Sequence, residues 1–507
     1  MIQNPGILPP ESVGLFGAST KRGEDKESGV IGTFGSGFSM SIGTLLRHSL
    51  PPVMFSSNLK MEFTTRTERV KGQSFSRVQV KFGGKDEEGR NRSTTEDLGF
   101  VLDYGSNDWD TPELAMREFV SNALDEVTMM GQKSFRQAFL AEKGVSDEYD
   151  LTSEQTKEFR DALKIYRLYG IKQDFKNVVI EVVNENQVRA KAGHTRIFVP
   201  MNKTIEDFHK NLGKWFLHFS EPDSLNKEIL PKNGRNLGTS KVAVIYRRGV
   251  RVREIQYTGT ESLFDYNFQE IPLDESRKID DWRVKTYAGQ ALARSKKNDI
   301  SAFWQSFYNN TKYWEHEFSQ YSLTIPSGHT SKEAEEIRKN WVDTFESVVG
   351  LDAVIATKNG GEMAARKGYK VVTVSDEIYE AVKNLGVKTP DKVLTFDEKE
   401  GRVITDPTPD ALCAVEFIWK VLRKHDMLNG KEYPKVKGFH KAMEGGAQTL
   451  GFYRDGTVYL NNELGNNASE NGGWKMLTHQ MLQTALEEVV HHVFKCLDCT
   501  RDMQDIV

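Results

Sequence analysis

From Met116 to Glu126 the chain reads M-R-E-F-V-S-N-A-L-D-E, which spaces Glu118, Asn122 and Asp125 at i, i+4 and i+7. At that spacing all three share one face of a helix. Leu114, Phe119, Ala123 and Leu124 give the same helix an apolar stripe to bury, so the polar trio is expected to line a cleft. The chemistry it suits is a metal-bound polyphosphate. Glu118 would orient or deprotonate a water, and Asn122 would offer its carbonyl oxygen to a hard cation such as Mg2+. A solvated helix face is the plain alternative, because E-x-x-x-N is a common spacing.

A glycine-rich run, Gly29 to Phe38, leads into Ser39 to Arg47, where Met40, Ile42, Leu45 and Leu46 recur at helical intervals. Gly32, Gly35 and Gly37, with Ser36 and Phe38 alongside, would let the backbone approach phosphate oxygens. The first N–H groups of the helix would add donors and a positive dipole end. Upstream, Ser19, Thr20 and Lys21 contribute two hydroxyls and an ammonium. Alone this run reads equally as a surface turn. With the acidic helix it describes a nucleotide site.

Together, E-x-x-x-N-A-x-D and S-T-K followed by I-G-x-F-G-x-G-F resemble the N-box and ATP lid of the GHKL ATPases. That superfamily holds gyrase, Hsp-type chaperones, histidine kinases and MutL-type repair proteins, and this lid is most similar to those of MORC and chaperone members. The resemblance implies an α+β protein with a Bergerat-type α/β sandwich, ATP and Mg2+ as ligands, ATP hydrolysis, and lid closure with ATP-dependent homodimerisation. In the family the N-box precedes the lid; here it follows, which implies a circularly permuted domain. The family's Asp-x-Gly motif, which bonds the adenine amine, is matched by Asn4-Pro5-Gly6. Asn4 departs from the pattern, although its carbonyl can still accept. Gly193-His194-Thr195 matches the family's Gly-x-Thr strand, and Asp125 joins the nucleotide-binding set. The resemblance is strongest over residues 1 to 200, and its lid style is also similar to that of phage-encoded members, which implies a host cytoplasm as location.

Four domains are expected: 1–214 for the nucleotide, 215–330, 331–406 and 407–507. Strands at Val242–Tyr246, Val250–Val252 and Leu263–Phe268 and a helix at Trp282–Ala293 resemble the family's S5-like transducer. The resemblance implies a lysine reaching the terminal phosphate; Lys232 is the choice for that catalytic role, with Lys241 the alternative. Lys227, Lys232, Arg235, Lys241, Arg247, Arg248, Arg251 and Arg253 make this stretch basic. They offer either a track for nucleic acid or an ordinary solvated strand face. From 331 to 406 an amphipathic helix, Ser331–Val349, precedes a small α/β unit with strands at Ala353–Ala356, Lys370–Ser375 and Val393–Phe396. The part after Pro407 reads as mostly helical, with an edge strand at Gly456–Leu460. Its helix at Leu477–Val493 carries Glu487 and His491, which resemble a zinc-peptidase H-E-x-x-H with the first His replaced. The pair is a candidate metal site or a degenerate relic.

With 507 residues and a formal charge of −4, the chain is no general nucleic-acid coat. No apolar run reaches membrane-spanning length, and the first residues lack the plan of a signal peptide. Three cysteines make no disulfide framework, consistent with a reduced, cytoplasmic setting. Competing functions are a nucleotide-gated binding module without turnover, a metallopeptidase using Glu487 and His491, and a histidine-kinase-type phosphotransferase. Against the last, no dimerisation helix with a phosphoacceptor His precedes the nucleotide segment.

Overall fold

A computed structural model gives the fold. It describes residues 1–14, 31, 37–85, 89–103, 109–232, 241–255, 260–274, 279–308, 311–358, 360–394, 402–428, 430–441, 450–465, 470–471, 474–475 and 479–495. The chain divides into two compact units, Met1–Thr330 and Ser331–Val507. Both mix helices with sheets, as the α+β reading requires.

The first unit is built on an eight-stranded antiparallel sheet. Its strands are β1 (Ile2–Pro5), β2 (Val53–Ser56), β3 (Leu59–Val70), β4 (Gln73–Lys85), β5 (Asn91–Arg92), β6 (Thr95–Val101), β7 (Val179–Ile180) and β8 (His194–Phe198). They run in the order β5-β4-β3-β2-β8-β1-β7, with β6 also paired to β4. Strand alternation decides the faces: Leu59, Met61 and Phe63 of β3 turn inward, while Lys60 and Glu62 turn outward and pair at 2.8 Å. Two helices cover the inner face, α1 (Gly37–Arg47) and α2 (Pro112–Lys143). Proline at the first position starts α2, and Gly144 ends it in the left-handed region at φ 70°, its N–H reaching back to the carbonyls of Leu140 and Ala141. Phe119, Val120, Leu124 and Val127 of α2 and Ile42 and Leu45 of α1 share one core with Met54, Met61, Phe63 and Val80 of the sheet.

A second, four-stranded sheet follows in the same unit: β9 (Ile229–Pro231), β10 (Val244–Arg247), β11 (Val250–Glu254) and β12 (Phe264–Phe268), ordered β11-β10-β12-β9. Helices α3 (Asp281–Ala293) and α4 (Lys297–Ser306) come after it. Its internal tie is Glu315, fully buried, whose carboxylate accepts from the Ser262 hydroxyl at 2.6 Å, the Leu263 N–H at 3.1 Å and the Tyr266 hydroxyl at 3.1 Å. Burial raises the pKa of Glu315, with those bonds opposing it. The junction between the sheets is made by the Leu217 N–H donating to the Gly249 carbonyl at 2.8 Å and by His218 packed against Gly249.

In the second unit α5 (Ser331–Val349) leads to a parallel pair, β13 (Ala353–Ala356) and β14 (Lys370–Thr373), and to α6 (Asp376–Asn384). The strand expected from Val393 is not formed at that residue: Pro390 starts a helical turn that Val393 ends. Among the described residues the part after Pro407 is not mostly helical. Its α7 (Pro409–Lys424), β16 (Lys435–Lys441), β17 (Gly451–Arg454), β18 (Thr457–Asn461) and α8 (His479–Phe494) join β15 (Arg402–Thr405), just before it, in a four-stranded sheet, β15-β16-β18-β17, with two helices. Nor is β18 an edge; it pairs with β16 on one side and β17 on the other. Among the described residues no helix is long and apolar enough to cross a membrane.

Candidate functional site

The polar face of α2 is buried. Glu118 is 4% exposed and Asp125 0%, with Asn122 half-buried between them. Carboxylates this deep require partners, and backbone from a distant segment approaches both. The Ile31 N–H donates to Asp125 Oδ1 at 2.5 Å. At Gly37, the first residue of α1, a β-carbon would lie 2.4 Å from Glu118 Oε2, so the carboxylate keeps its present place only against a glycine. Glu118 therefore sits at the positive end of α1, where the dipole favours an anion. The seven residues separating Glu118 from Asp125 span about 10 Å of helix. The two described ends of the glycine segment are thus pinned two turns apart, on either side of Asn122. The Phe38 and Phe119 rings meet 5.7 Å apart beside this contact.

A third segment, Asn4–Gly6, approaches α2 at Glu126, and a fourth, Gly193–Thr195, is bonded to the third. In the β1–β8 register Asn4 lies opposite Thr195. The Thr195 hydroxyl donates to the Gly6 carbonyl at 3.0 Å, and the Gly6 N–H donates to the Gly193 carbonyl at 3.1 Å. Asn4 is buried, its amide donating to the Pro5 carbonyl at 2.7 Å. Gly6 has φ +102°, and a β-carbon on it would come 2.6 Å from Glu126 Oε1, one residue beyond Asp125. Of the residues singled out by sequence, Asn4, Gly6, Gly37, Phe38, Glu118, Asn122, Asp125 and Thr195 gather around α2. Ser19, Thr20, Lys21, Gly32, Gly35 and Ser36 lie outside the described residues.

Where α2 meets the second sheet, Ile31, Arg117, Glu118, Ser121, Arg247 and Arg251 line a crevice of about 20 Å3, the size of a water. Val252 and Leu273 border both this crevice and an open hollow of about 790 Å3 that also touches Arg253, Asp274 and Arg283. Arg247 Nη1 donates to the Ile31 carbonyl at 2.9 Å, and Arg117 Nη2 stands 4.0 Å from Glu118 Oε1. Burial lowers the pKa of Arg248, and the Asp125 carboxylate opposes that shift. Lys232 is not among the crevice residues; it pairs with Asp265 at 3.4 Å and donates to the Val242 carbonyl. Lys241 pairs with Glu261 at 2.7 Å. Sequence reasoning passed over Arg117 and Ser121, and it placed Arg247 and Arg251 in a possible nucleic-acid track rather than at Glu118. That basic run is spent largely on local partners: Arg251 pairs with Glu254 at 2.8 Å and Arg253 with Asp281 at 2.8 Å.

In the second unit no three His, Cys, Asp or Glu side chains among the described residues form a group able to hold a metal. Glu487 accepts from the Gln483 amide at 3.3 Å, and His491 is buried in the face of α8. His492, next to it, contacts the Glu432 carbonyl at 2.8 Å. The C-x-x-C pair Cys496 and Cys499, with Asp498 between them, lies outside the described residues. Compared with protein-family models, curated proteins and solved structures, the chain matches none.

Two buried carboxylates, a half-buried carboxamide, backbone N–H groups and three arginines form a set able to hold a water beside Glu118 and anionic oxygens beside the arginines.

Proposed function

We propose that the Met1–Thr330 unit is a GHKL-like, Mg2+-dependent ATP-binding module that hydrolyses ATP and works as a nucleotide-gated clamp. The observation that carries the reading is the approach of Ile31, Gly37 and Gly6 to one stretch of α2, residues 118–126, with Gly193 and Thr195 bonded to Gly6. General packing needs neither the buried acids nor the two close glycine approaches. In this reading Glu118 orients the attacking water and Asn122 supplies a carbonyl oxygen to Mg2+. Asn4 and Thr195 read the base, and Arg247, joined by Arg251 once it leaves Glu254, meets charge at the terminal phosphate. When bound, Mg2+ would neutralise phosphate charge and fix the polyphosphate. Lys232 could share the arginines' role only after leaving Asp265.

A crevice of about 20 Å3 does not accept a nucleotide, whose site needs about 300 Å3 or more. Binding at this crevice would require Ile31 to part from Asp125 and Arg247. Because Arg247 also holds the Ile31 carbonyl, that parting reaches the second sheet directly. This linkage is the physical content of the clamp. A binding module without turnover is the second reading, favoured by Asn4 standing where the resembled motif has an acid.

The test is titration calorimetry of the full chain with a non-hydrolysable ATP analogue, with and without Mg2+, followed by light scattering. Saturable Mg2+-dependent binding and a nucleotide-dependent doubling of mass are expected. No heat of binding at any Mg2+ level refutes the proposal, and binding without turnover selects the second reading.

A further inference from the structure

Strand β3 runs on after its neighbour β2 has ended. It faces β2 only as far as Glu62, which lies opposite Val53, whereas its pairing with β4 continues to Val70. From Thr64 to Val70 one edge of β3 thus has no described strand beside it, and all of these residues except half-buried Glu68 are exposed. Two turns fix which backbone groups line that edge. Ser57–Asn58 joins β2 to β3 and Lys71–Gly72 joins β3 to β4, and the pairs that flank such two-residue turns, Ser56–Leu59 and Val70–Gln73, bond to each other. Both hairpins therefore aim the even-numbered residues at β4 and the odd-numbered ones away from it. Thr65, Thr67 and Arg69 direct their N–H and C=O groups into the open edge, where no described residue meets them.

Such an edge is ordinarily blunted by proline, lysine or a bulge, or else paired with another chain. Residues 64–70 contain neither proline nor lysine, and the β3–β4 register has no shift. The edge fits a second copy of itself. It is bounded by β2 at one end and the Lys71–Gly72 turn at the other, so its midpoint is Thr67. A copy laid antiparallel about that residue sets Thr67 against Thr67 and Thr65 against Arg69, so all three outward residues bond across the joint. On the outer face the same register puts Arg66 opposite Glu68 of the second copy, twice by symmetry. Arg66 holds Asp97 through Nε and Nη2 at 3.0 and 2.6 Å, and Glu68 accepts from Arg77 with Oε2, which leaves Arg66 Nη1 and Glu68 Oε1 for the other copy. Moving the dyad to either neighbouring residue sets Arg66 on Arg66 or Glu68 on Glu68, like charge on like. We propose that two copies of the chain join through their 64–70 edges, continuing one sheet into the next across a twofold axis at Thr67. This association needs no nucleotide, and it does not rest on the ATP reading.

Sedimentation equilibrium of the full chain without nucleotide, at about 1–100 μM, tests it. A concentration-dependent mass of two chains is expected, with amide exchange at Thr65, Thr67 and Arg69 slowed about tenfold or more in the dimer. Thr67→Pro removes an N–H that β4 does not use, so circular dichroism should report the same fold while the dissociation constant rises about 100-fold or more. Arg66→Glu and Glu68→Arg should each weaken self-association about tenfold. Mixed together, those two variants set opposite charges across the joint again, and a mixed dimer tighter than either variant's own is expected. A strand that was merely destabilised would not recover in this way. A chain that stays monomeric throughout, a dimer whose edge amides exchange at the monomer rate, full dimer affinity in Thr67→Pro, or no recovery on mixing overturns the proposal. Another protein bound at this edge of a monomeric chain likewise counts against a second copy as its occupant.

Discussion

Within the candidate site, Glu118 and Gly37 form a contact sensitive to a single atom. The carboxylate end of a long side chain can swing aside, so a methyl group at position 37 would displace Glu118 more readily than it would break α1. Gly37→Ala should therefore keep the fold by circular dichroism and lose ATP turnover by about 100-fold, the scale of a misplaced general base. Glu118→Gln should lose turnover to a similar extent while analogue affinity stays within about threefold. Asn122→Ala has a different signature: Mg2+-dependent affinity itself should fall about tenfold or more, as for a lost metal contact. Steady-state hydrolysis and calorimetry on the three variants distinguish these outcomes. Turnover by the Glu118→Gln protein equal to that of the parent removes Glu118 from the role of base.

At the scale of elements, Ile31 is tied to α2 by the hydrogen bond it donates to Asp125 and to β10 by the one its carbonyl accepts from Arg247. Asp125→Ala leaves the Ile31 N–H without that acceptor, a loss of about 1–3 kcal/mol when buried. Amide exchange at Ile31 should accelerate by about tenfold or more, whereas protection of the β3–β4 hairpin stays as it was. Unchanged exchange at Ile31 would show that Asp125 is not what holds this residue. Helices α1 and α2 were legible in the sequence from apolar spacing, Met40 to Leu46 in one and Leu114 to Leu124 in the other. The grouping of Glu118, Asn122 and Asp125 on one face followed from that spacing alone. Arg247, 216 positions from Ile31, left no local trace, and only folding brings it to Glu118. Strand β16 was missed for a different reason: K-V-K-G-F-H-K alternates, but lysines take outward positions and Gly438 an inward one, so it reads as loop. The glycine is there because Asn462 fills the space, its Oδ1 2.3 Å from where a β-carbon would be. Val393 failed as a strand residue because Pro390 starts a helical turn just before it.

Across the whole molecule, acid should act on the first unit through two buried histidines. Burial pulls His218 down to about 3 and His316 to about 4, from an unfolded value of about 6.5. Below pH 6.5 the unfolded chain takes up protons that the folded unit refuses. Stability is therefore lost as pH falls from about 6.5 toward 4 and 3, and these two groups contribute no slope well above 6.5. Each costs about 1.4 kcal/mol per pH unit in that window, so urea unfolding at pH 5.5 should be about 2.5 kcal/mol weaker than at pH 7.5. His218 Nδ1 is buried without a hydrogen-bond partner, and its ring packs edge-on against Phe175 at 4.8 Å. His218→Leu should accordingly halve the pH dependence. His316 contacts the Ser306 hydroxyl at 2.7 Å and accounts for the remainder. Both histidines belong to Met1–Thr330, so in a chain of two compact units the acid-sensitive transition should be the one that Mg2+ with ATP analogue also raises, by about 2.7 kcal/mol at 100 times Kd. Should analogue and acid move different transitions, the nucleotide does not bind the unit that carries Glu118; should His218→Leu leave the slope intact, its burial does not set the acid limit.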